Sequence, residues 1–326
     1  MNTGVQLLLS TSLLYLGVDV LLVWGLNLQF GVSGVLNFSF VMFQALGAYT
    51  VAVLTLGPDK QFGGFQSYII GSRLPFWLAV LIAFVLGAVL SIPVGLVALR
   101  RLRADYQAVA LLVVSVIATM VVTNDTGLFN GSAGLALIPH PFQSYFHLSL
   151  IAWQWWYAGL VAIVCVVVFF LIVRRVTASP LGRSLRSVRD NEHAAAALGK
   201  PVLRLRLLSL ALGSAIASLS GALIAPFIGS WAPSGWTYPE TFVLVGAIII
   251  GGRGNDFGAM VGALIFPVLI FEGGTFLPQF GRIGLVSALQ WILTGAILLL
   301  FLYFRPQGLF PERRRVFRDA VKSLDE

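Results

Sequence analysis

The sequence predicts an all-α membrane protein, a polytopic bundle of about 8–10 transmembrane helices with a short cytoplasmic helix in one basic loop. Three observations lead there. Apolar residues make up 58% of the 326 positions and charged ones 10%, where an ordinary soluble domain is about a quarter charged. Several apolar runs reach the roughly 20 residues that cross a hydrocarbon core about 30 Å thick, and none alternates as a barrel strand does. Finally, 17 of the 21 Lys and Arg residues fall in three stretches, Arg100–Arg103, Arg174–Arg206 and Arg305–Lys322, each flanking an apolar run. Lipid cannot satisfy backbone polar groups, so the runs are helices. Basic loops stay in the cytoplasm, so the three stretches face inward. The net charge of +8 therefore reports topology and not a nucleic-acid surface.

In order, the apolar spans cover residues 5–30, 38–56, 76–98, 106–124, 153–173, 204–226, 238–251, 258–276 and 283–304. They make one transmembrane domain of residues 1–326, with 174–206 as a cytoplasmic loop and 305–326 as a cytoplasmic tail. The first 30 residues have neither the basic start nor the small-residue cleavage site of a removable signal peptide, so the first span is expected to remain. Nine spans and an inside C-terminus put Met1 outside; one split or missed helix reverses that. Asp19 stands fourteen residues past Val5, about 21 Å along the first helix. A carboxyl there lines a polar path or holds a proton, unless a neighbouring helix takes its hydrogen bonds.

"GVSGVLN" (31–37), "GSAG" (131–134) and "GGRGNDFG" (251–258) set glycine among small polar residues beside membrane-depth helices. Such backbone is tolerated where protein or a water-filled cavity surrounds it, so each marks either a substrate path or an interfacial turn. The stretch 125–152, with Pro139 and Pro141 and then Trp153, Trp155 and Trp156, reads as an outer loop and an interfacial belt. Cys165, the single cysteine, lies in an apolar run and packs. The sixth span carries Gly213, Ala217, Gly221 and Ala225 at four-residue spacing. That stripe admits the close approach of another helix, from this chain or from a second subunit.

No catalytic chemistry is predicted. "GGRGNDFG" lacks the Lys and Ser/Thr that grip phosphate and magnesium, so nucleotide binding by this chain is not expected. Ser132, His140 and His147 share a loop with nothing to join them as a triad, and the three histidines are too scattered for a metal. The chain is expected to be no enzyme and to hold no cofactor or metal.

The loop 174–206 holds ten of the 34 charged residues. Ser179 and Pro180 suit a helix start. Leu181, Leu185 and Val188 then share one face while Arg183 and Arg186 point elsewhere, an amphipathic helix near the membrane surface. A second helix begins near Asn191: Asp190 or Asn191 caps it, Glu192 favours its positive end, four alanines follow, and Gly199 and Pro201 stop it. So short a helix is not stable alone in water, so the rest of the chain or another protein must hold it. Alanines leave a narrow rod that fits a groove, with charges orienting it at the rim. Continuous through Pro201 with the sixth span, such a helix carries a partner's movement into the membrane.

These residues, "RDNEHAAAALGKPVLRLRLLSLALGSAIASLSGAL", resemble the coupling-loop region of permease subunits of bacterial ATP-binding-cassette importers, specifically the branched-chain amino acid permease family. The similarity extends to "GLNLQFGVSGVLNFSF", "SPLGRSLRSVRDN", "GGRGNDFGAMVGAL" and "FRPQGLFP", covering most of the chain in order, and the arrangement is like the larger member of the family's usual permease pair. The resemblance implies a bacterial inner-membrane subunit that moves branched-chain or related aliphatic amino acids into the cytoplasm by alternating access. It implies four kinds of partner: the lipid bilayer, a second homologous permease, two ATPase subunits that hold ATP and Mg, and an extracytoplasmic solute-binding protein.

By the same resemblance Asn191, Glu192, His193, Ala194, Ala195, Leu198 and Gly199 couple to the ATPase. Ala194, Ala195 and Gly199 match the family's Glu-Ala-Ala, three variable residues, Gly signature; His193 stands at the Glu position with Glu192 one before it. Phe40 stands where relatives often have His. The candidates for the substrate path are Gly31, Gly34, Asn37, Ser39, Gln44 and Asp19, because a zwitterion with an aliphatic side chain needs a few dipoles and an apolar wall. Competing expectations are a urea or short-amide importer of the same architecture and, from another class, an ion-coupled secondary transporter using Asp19.

Overall fold

Each apolar run is helical in the computed structural model, which describes residues 3–58, 65–272 and 285–312. The chain runs through α1 (Thr3–Leu26), a π-helical stretch Asn27–Val32, α2 (Phe40–Thr55), α3 (Phe76–Leu99), α4 (Ala104–Asn124) and the single turn α5 (Thr126–Phe129). Strand β1 (Leu135–Ala136), α6 (Leu150–Ile163), a π stretch Val164–Val168, α7 (Phe169–Ala178), α8 (Pro180–Asp190) and α9 (Glu192–Ala197) follow. Then come α10 (Val202–Ile228), β2 (Ser230–Trp231), α11 (Tyr238–Gly251), α12 (Asp256–Ala263), a third π stretch Leu264–Glu272 and α13 (Leu285–Phe304). Every expected span thus meets a helix. Val5–Val32, Phe76–Leu99, Tyr106–Asn124, Leu150–Ala178 and Val202–Ile228 are long and apolar enough to cross a membrane; Phe40–Thr55, Asp256–Ile270 and Ala288–Phe304 are shorter. Residues 273–276 and 283–284 of the last two expected spans, and 313–326 of the expected tail, lie outside the described residues.

The centre is α10, packed against α1, α2 and α3. Its small residues make this geometry available, because between helices in lipid close van der Waals packing replaces the hydrophobic drive. A Cβ on Gly213 would stand 2.6 Å from the Gly25 carbonyl oxygen, and one on Gly221 would overlap the Gln44 carbonyl. The partner helices answer with their own glycines: Gly47 of α2 and Gly87 of α3 both close onto Ser218, whose hydroxyl donates to Ala83 O at 2.7 Å. The stripe that left two readings open in the sequence is therefore used within the chain. Around it Trp24, Phe40, Phe43, Tyr49, Trp153 and Tyr157 fill a continuous core. On the flank, α3 and α4 expose Val85, Val89, Leu96, Val109, Val113 and Ile117, a surface suited to lipid.

The two ends of the bundle differ. At one, Leu99, just before the first basic stretch, packs with Val35 and Leu210, and Arg189 of the second stretch reaches the nearby Gly31 carbonyl. At the other, the loops are knitted together. Leu135 and Ala136 pair antiparallel with Trp231 and Ser230. The Gln66 amide donates to Ala136 O (3.1 Å) and accepts from Ala136 N (2.7 Å), completing a third edge. Trp153 Nε1 donates to Pro141 O at 2.6 Å, and His140 Nδ1 lies 2.8 Å from Pro226 O. The 125–152 stretch is thus an anchored cap rather than a plain loop.

Gly221→Ala is expected to destabilise the protein by about 1–3 kcal/mol, the cost of overpacking a close contact. Gly159→Ala, with no atom within 4 Å of its would-be Cβ, should be neutral; the thermal unfolding midpoints of the two variants in detergent check this.

Candidate functional site

The first helix leaves α geometry at Asn27, and most of its polar groups are satisfied from within the protein; among the described residues Asn27 Nδ2 has no hydrogen-bond partner. Gln29 Nε2 donates to Leu210 O (2.9 Å) and Ser214 Oγ (3.3 Å) on α10. Asn37 Nδ2 donates to Gln29 Oε1 (3.0 Å), while Asn37 Oδ1 accepts from Ser39 N (2.9 Å) and Ser39 Oγ (2.6 Å). The hydroxyls of Ser33 and Ser209 are 2.6 Å apart, and Asn27 Oδ1 accepts from Gly254 N at 3.0 Å. Four of the sequence-predicted path residues, Gly31, Gly34, Asn37 and Ser39, belong to this joint. Gly34 takes φ +80° against the aliphatic stem of Arg189, a conformation that suits glycine.

Next to the joint lies an ionic hub. Ser179 caps α8 as expected, accepting from Gly182 N. The apolar face of α8 does not lie on lipid: Leu185 is buried against Leu28 and Val32 of the π stretch. One turn on, Arg189 donates to the Gly31 carbonyl and pairs with Glu312 at 2.8 Å. Arg186 pairs with the second Glu312 oxygen at 2.6 Å and donates to Thr177 O at 2.8 Å. Glu312 is held in place because the segment before it docks by backbone bonds, Leu309 N to Ile250 O (2.7 Å) and Phe310 N to Gly251 O (3.0 Å). Charge-assisted bonds to a fixed carboxylate are among the stronger links in a protein. The sequence held no local signal for this pairing, since 126 residues separate Arg186 from Glu312.

The chain itself holds the short helix α9. Asn191 caps it through Ala194 N at 3.0 Å. Glu192 pairs with Arg206 of α10 at 2.8 Å, and Lys200 reaches back to Ser187 Oγ at 2.7 Å. Ala195 turns inward, 2% exposed, and leaves an outer surface of His193, Ala194, Ala196, Ala197 and Leu198, the last 79% exposed. Gly199 ends the helix at φ +78°. Among the predicted coupling residues, Ala195 and Glu192 are therefore braced by this chain, and His193, Ala194 and Leu198 remain presented outward.

The remaining two path candidates, Asp19 and Gln44, meet elsewhere. Both line a cavity of about 550 Å³ between α1, α2, α10 and α11, roofed by the segment 230–235. Glu240 and Trp231 line it too, and sequence reasoning missed both. A signal for Glu240 existed: Thr237-x-x-Glu240 before an apolar run is a capping box, and Glu240 Oε1 accepts from Thr237 N at 3.3 Å. Leu22, Val41, Ile224, Val243 and Leu244 line it beside these polar groups. Another concavity, about 400 Å³ between α3, α7 and α10, is walled by Leu28, Trp77, Phe84, Phe169 and similar side chains. It offers little to orient a polar ligand.

A family model described as the permease component of branched-chain amino acid transport systems matches residues 8–302. Against the high-affinity branched-chain amino acid transport system permease protein LivM of Salmonella typhimurium the chain is 28% identical over 320 residues, covering 91% of this chain and 68% of that protein. Against the probable branched-chain amino acid transport permease protein LivM of Methanocaldococcus jannaschii it is 26% identical, covering 98% of each. It is also 24% identical to the LivH permease protein of Escherichia coli, over 90% of this chain and 91% of that one. No solved structure matches.

Two substitutions probe the joint and the hub. Asn37→Ala removes three buried hydrogen bonds and strands the Gln29 carbonyl oxygen, so a loss of about 1–3 kcal/mol is expected in unfolding measurements. Glu312→Gln removes the charge that both arginines face, and hydrogen exchange at the Leu309 and Phe310 amides is expected to rise about tenfold or more.

Proposed function

This chain belongs to the family of branched-chain amino acid transport permease components, and on that premise we propose that it carries branched-chain or related aliphatic amino acids into the cytoplasm by alternating access driven from α9. As a family member it is a permease subunit of an ATP-binding-cassette importer and a multi-pass membrane protein. Its similarity to both LivM and LivH indicates a permease pair. In the reading proposed here two ATPase subunits, which supply ATP and Mg, dock at the basic end, which faces the cytoplasm. A solute-binding protein docks on the knitted cap opposite.

The observation that carries this reading is the construction of α9. Leu198, an apolar side chain 79% exposed, stands beside alanines on a helix that the chain braces from behind. A rigid apolar ridge among cations is a surface made for a partner's groove. Movement imposed there has two routes inward. One is the Glu192–Arg206 pair into α10, which touches α1, α2 and α3 along its length. The other is Lys200 to Ser187 on α8, then Arg189 to the Gly31 carbonyl in the joint. A shift of α10 against α1 and α2 changes the walls of the cavity that holds Asp19 and Gln44. For ATP to drive this, the ATPases must bind the two states of the permease with different affinity.

Ala194→Arg and Leu198→Asp, each placed on the outer face of α9, are expected to abolish co-purification with the cognate ATPase subunits while leaving the permease folded. Undiminished assembly in both would refute the docking face. Ala195→Arg is not equivalent, because that side chain strikes the protein's own core.

A further inference from the structure

We propose that the cavity under the 230–235 segment reads the two charged ends of the transported amino acid, with the Glu240 carboxylate receiving the ammonium group and the Trp231 indole N–H donating to the carboxylate. The inference rests on the amino acid reading above and adds to it the residues that recognise the substrate within the membrane domain.

Glu240 commits one oxygen to the backbone of Thr237; its other oxygen makes no hydrogen bond or ion pair among the described residues. A carboxylate partly withdrawn from water in a cavity wall is costly unless a cation or donors match it, and a substrate ammonium is such a match. Asp19 on the same wall already has an interaction within the protein, so Glu240 is the group assigned to the ligand. Trp231 supplies an independent observation. It lines the cavity, is only 7% exposed, and its Nε1 has no hydrogen-bond partner among the described residues. A buried donor without a partner is uncommon in a folded protein and marks a position where a ligand acceptor completes the set. β-pairing of Trp231 with Leu135 fixes the backbone that carries the ring.

No Lys, Arg or His is among the described residues that line the cavity. The donors that these residues offer a ligand carboxylate are neutral, among them the Trp231 indole N–H, the Gln44 amide and the Ser230 and Ser234 hydroxyls. The apolar lining by Leu22, Val41, Ile224, Val243 and Leu244 suits an aliphatic side chain. The volume of about 550 Å³ lies within the roughly 300–1,000 Å³ of ligand pockets.

The test uses the complete importer in proteoliposomes with its binding protein and radiolabelled leucine. Glu240→Gln removes the charge but keeps the helix cap, since Gln serves at that position as Glu does; Trp231→Phe removes only the N–H from an aromatic ring. Each variant is expected to lower leucine uptake about tenfold or more, the weight of a hydrogen bond to a charged group, with assembly intact by co-purification. Glu240→Asp is expected to restore part of the rate. Wild-type uptake in either variant overturns the proposal and leaves the family reading in place. Failure of the unaltered complex to import leucine overturns the amino acid reading instead. If Glu240→Gln does not assemble, the Trp231→Phe rate decides alone.

Discussion

Between residues 27 and 39 the chain abandons regular helix at positions that are mostly buried, and polar groups exposed by that departure have to be answered from within the protein. The answers come from separate parts of the sequence: Leu210, Ser209 and Ser214 on α10, Gly254 in the 252–255 turn, and Arg189 on α8. Satisfying one irregular stretch thus fixes four elements relative to one another, the farthest 227 residues away in the chain. Arg189 brings a positive charge to the joint, and Glu312 neutralises it while the docked tail holds that carboxylate in place. The hub is thus a consequence of the break rather than a separate decoration of the surface.

The same economy governs α10. Its glycines and serines allow three helices to approach, and the price is a contact with no slack, because backbone meets backbone at Gly47, Gly213 and Gly221. A helix packed so tightly moves as a rod or not at all, since packed interiors shift between discrete arrangements rather than deforming smoothly. Its first turn is tied to α9 by Arg206, and its far end forms part of the cavity wall at Ile224 and Ile228. One element therefore touches both the surface where force is thought to enter and the space where a substrate is thought to sit.

Much of this was legible in the sequence where the determinant is local. Apolar runs placed the spans because length and hydropathy alone dictate them, and Ser179 and Asn191 announced the two helices of the basic loop because capping is read over three residues. What escaped depended on long-range geometry. Nothing near Ala195 tells that it faces inward while Ala194 faces outward; that follows from where α8 and α10 stand. Glu312 and Arg189 are two more charges in basic stretches until the tail folds back. The composition of the glycine break suits a path and a buried joint equally, and only the partners on α8 and α10 show the joint. Asp19 and Gln44 resembled their neighbours in the list of polar residues, and only the positions of α10 and α11 separate them from it.

Three of the membrane helices contain π-helical turns, at Asn27–Val32, Val164–Val168 and Leu264–Glu272. A π turn carries one residue beyond what an α turn requires, and such turns are frequent at functional sites. A surplus of one residue is indivisible. It can be passed along a helix by whole positions, each step swinging the side chains it passes by about 100°, the angle per residue of an α-helix, but it cannot be half relaxed. If these helices rearrange during a transport cycle, their side chains change faces in counted steps, more like the teeth of an escapement than the bending of a spring.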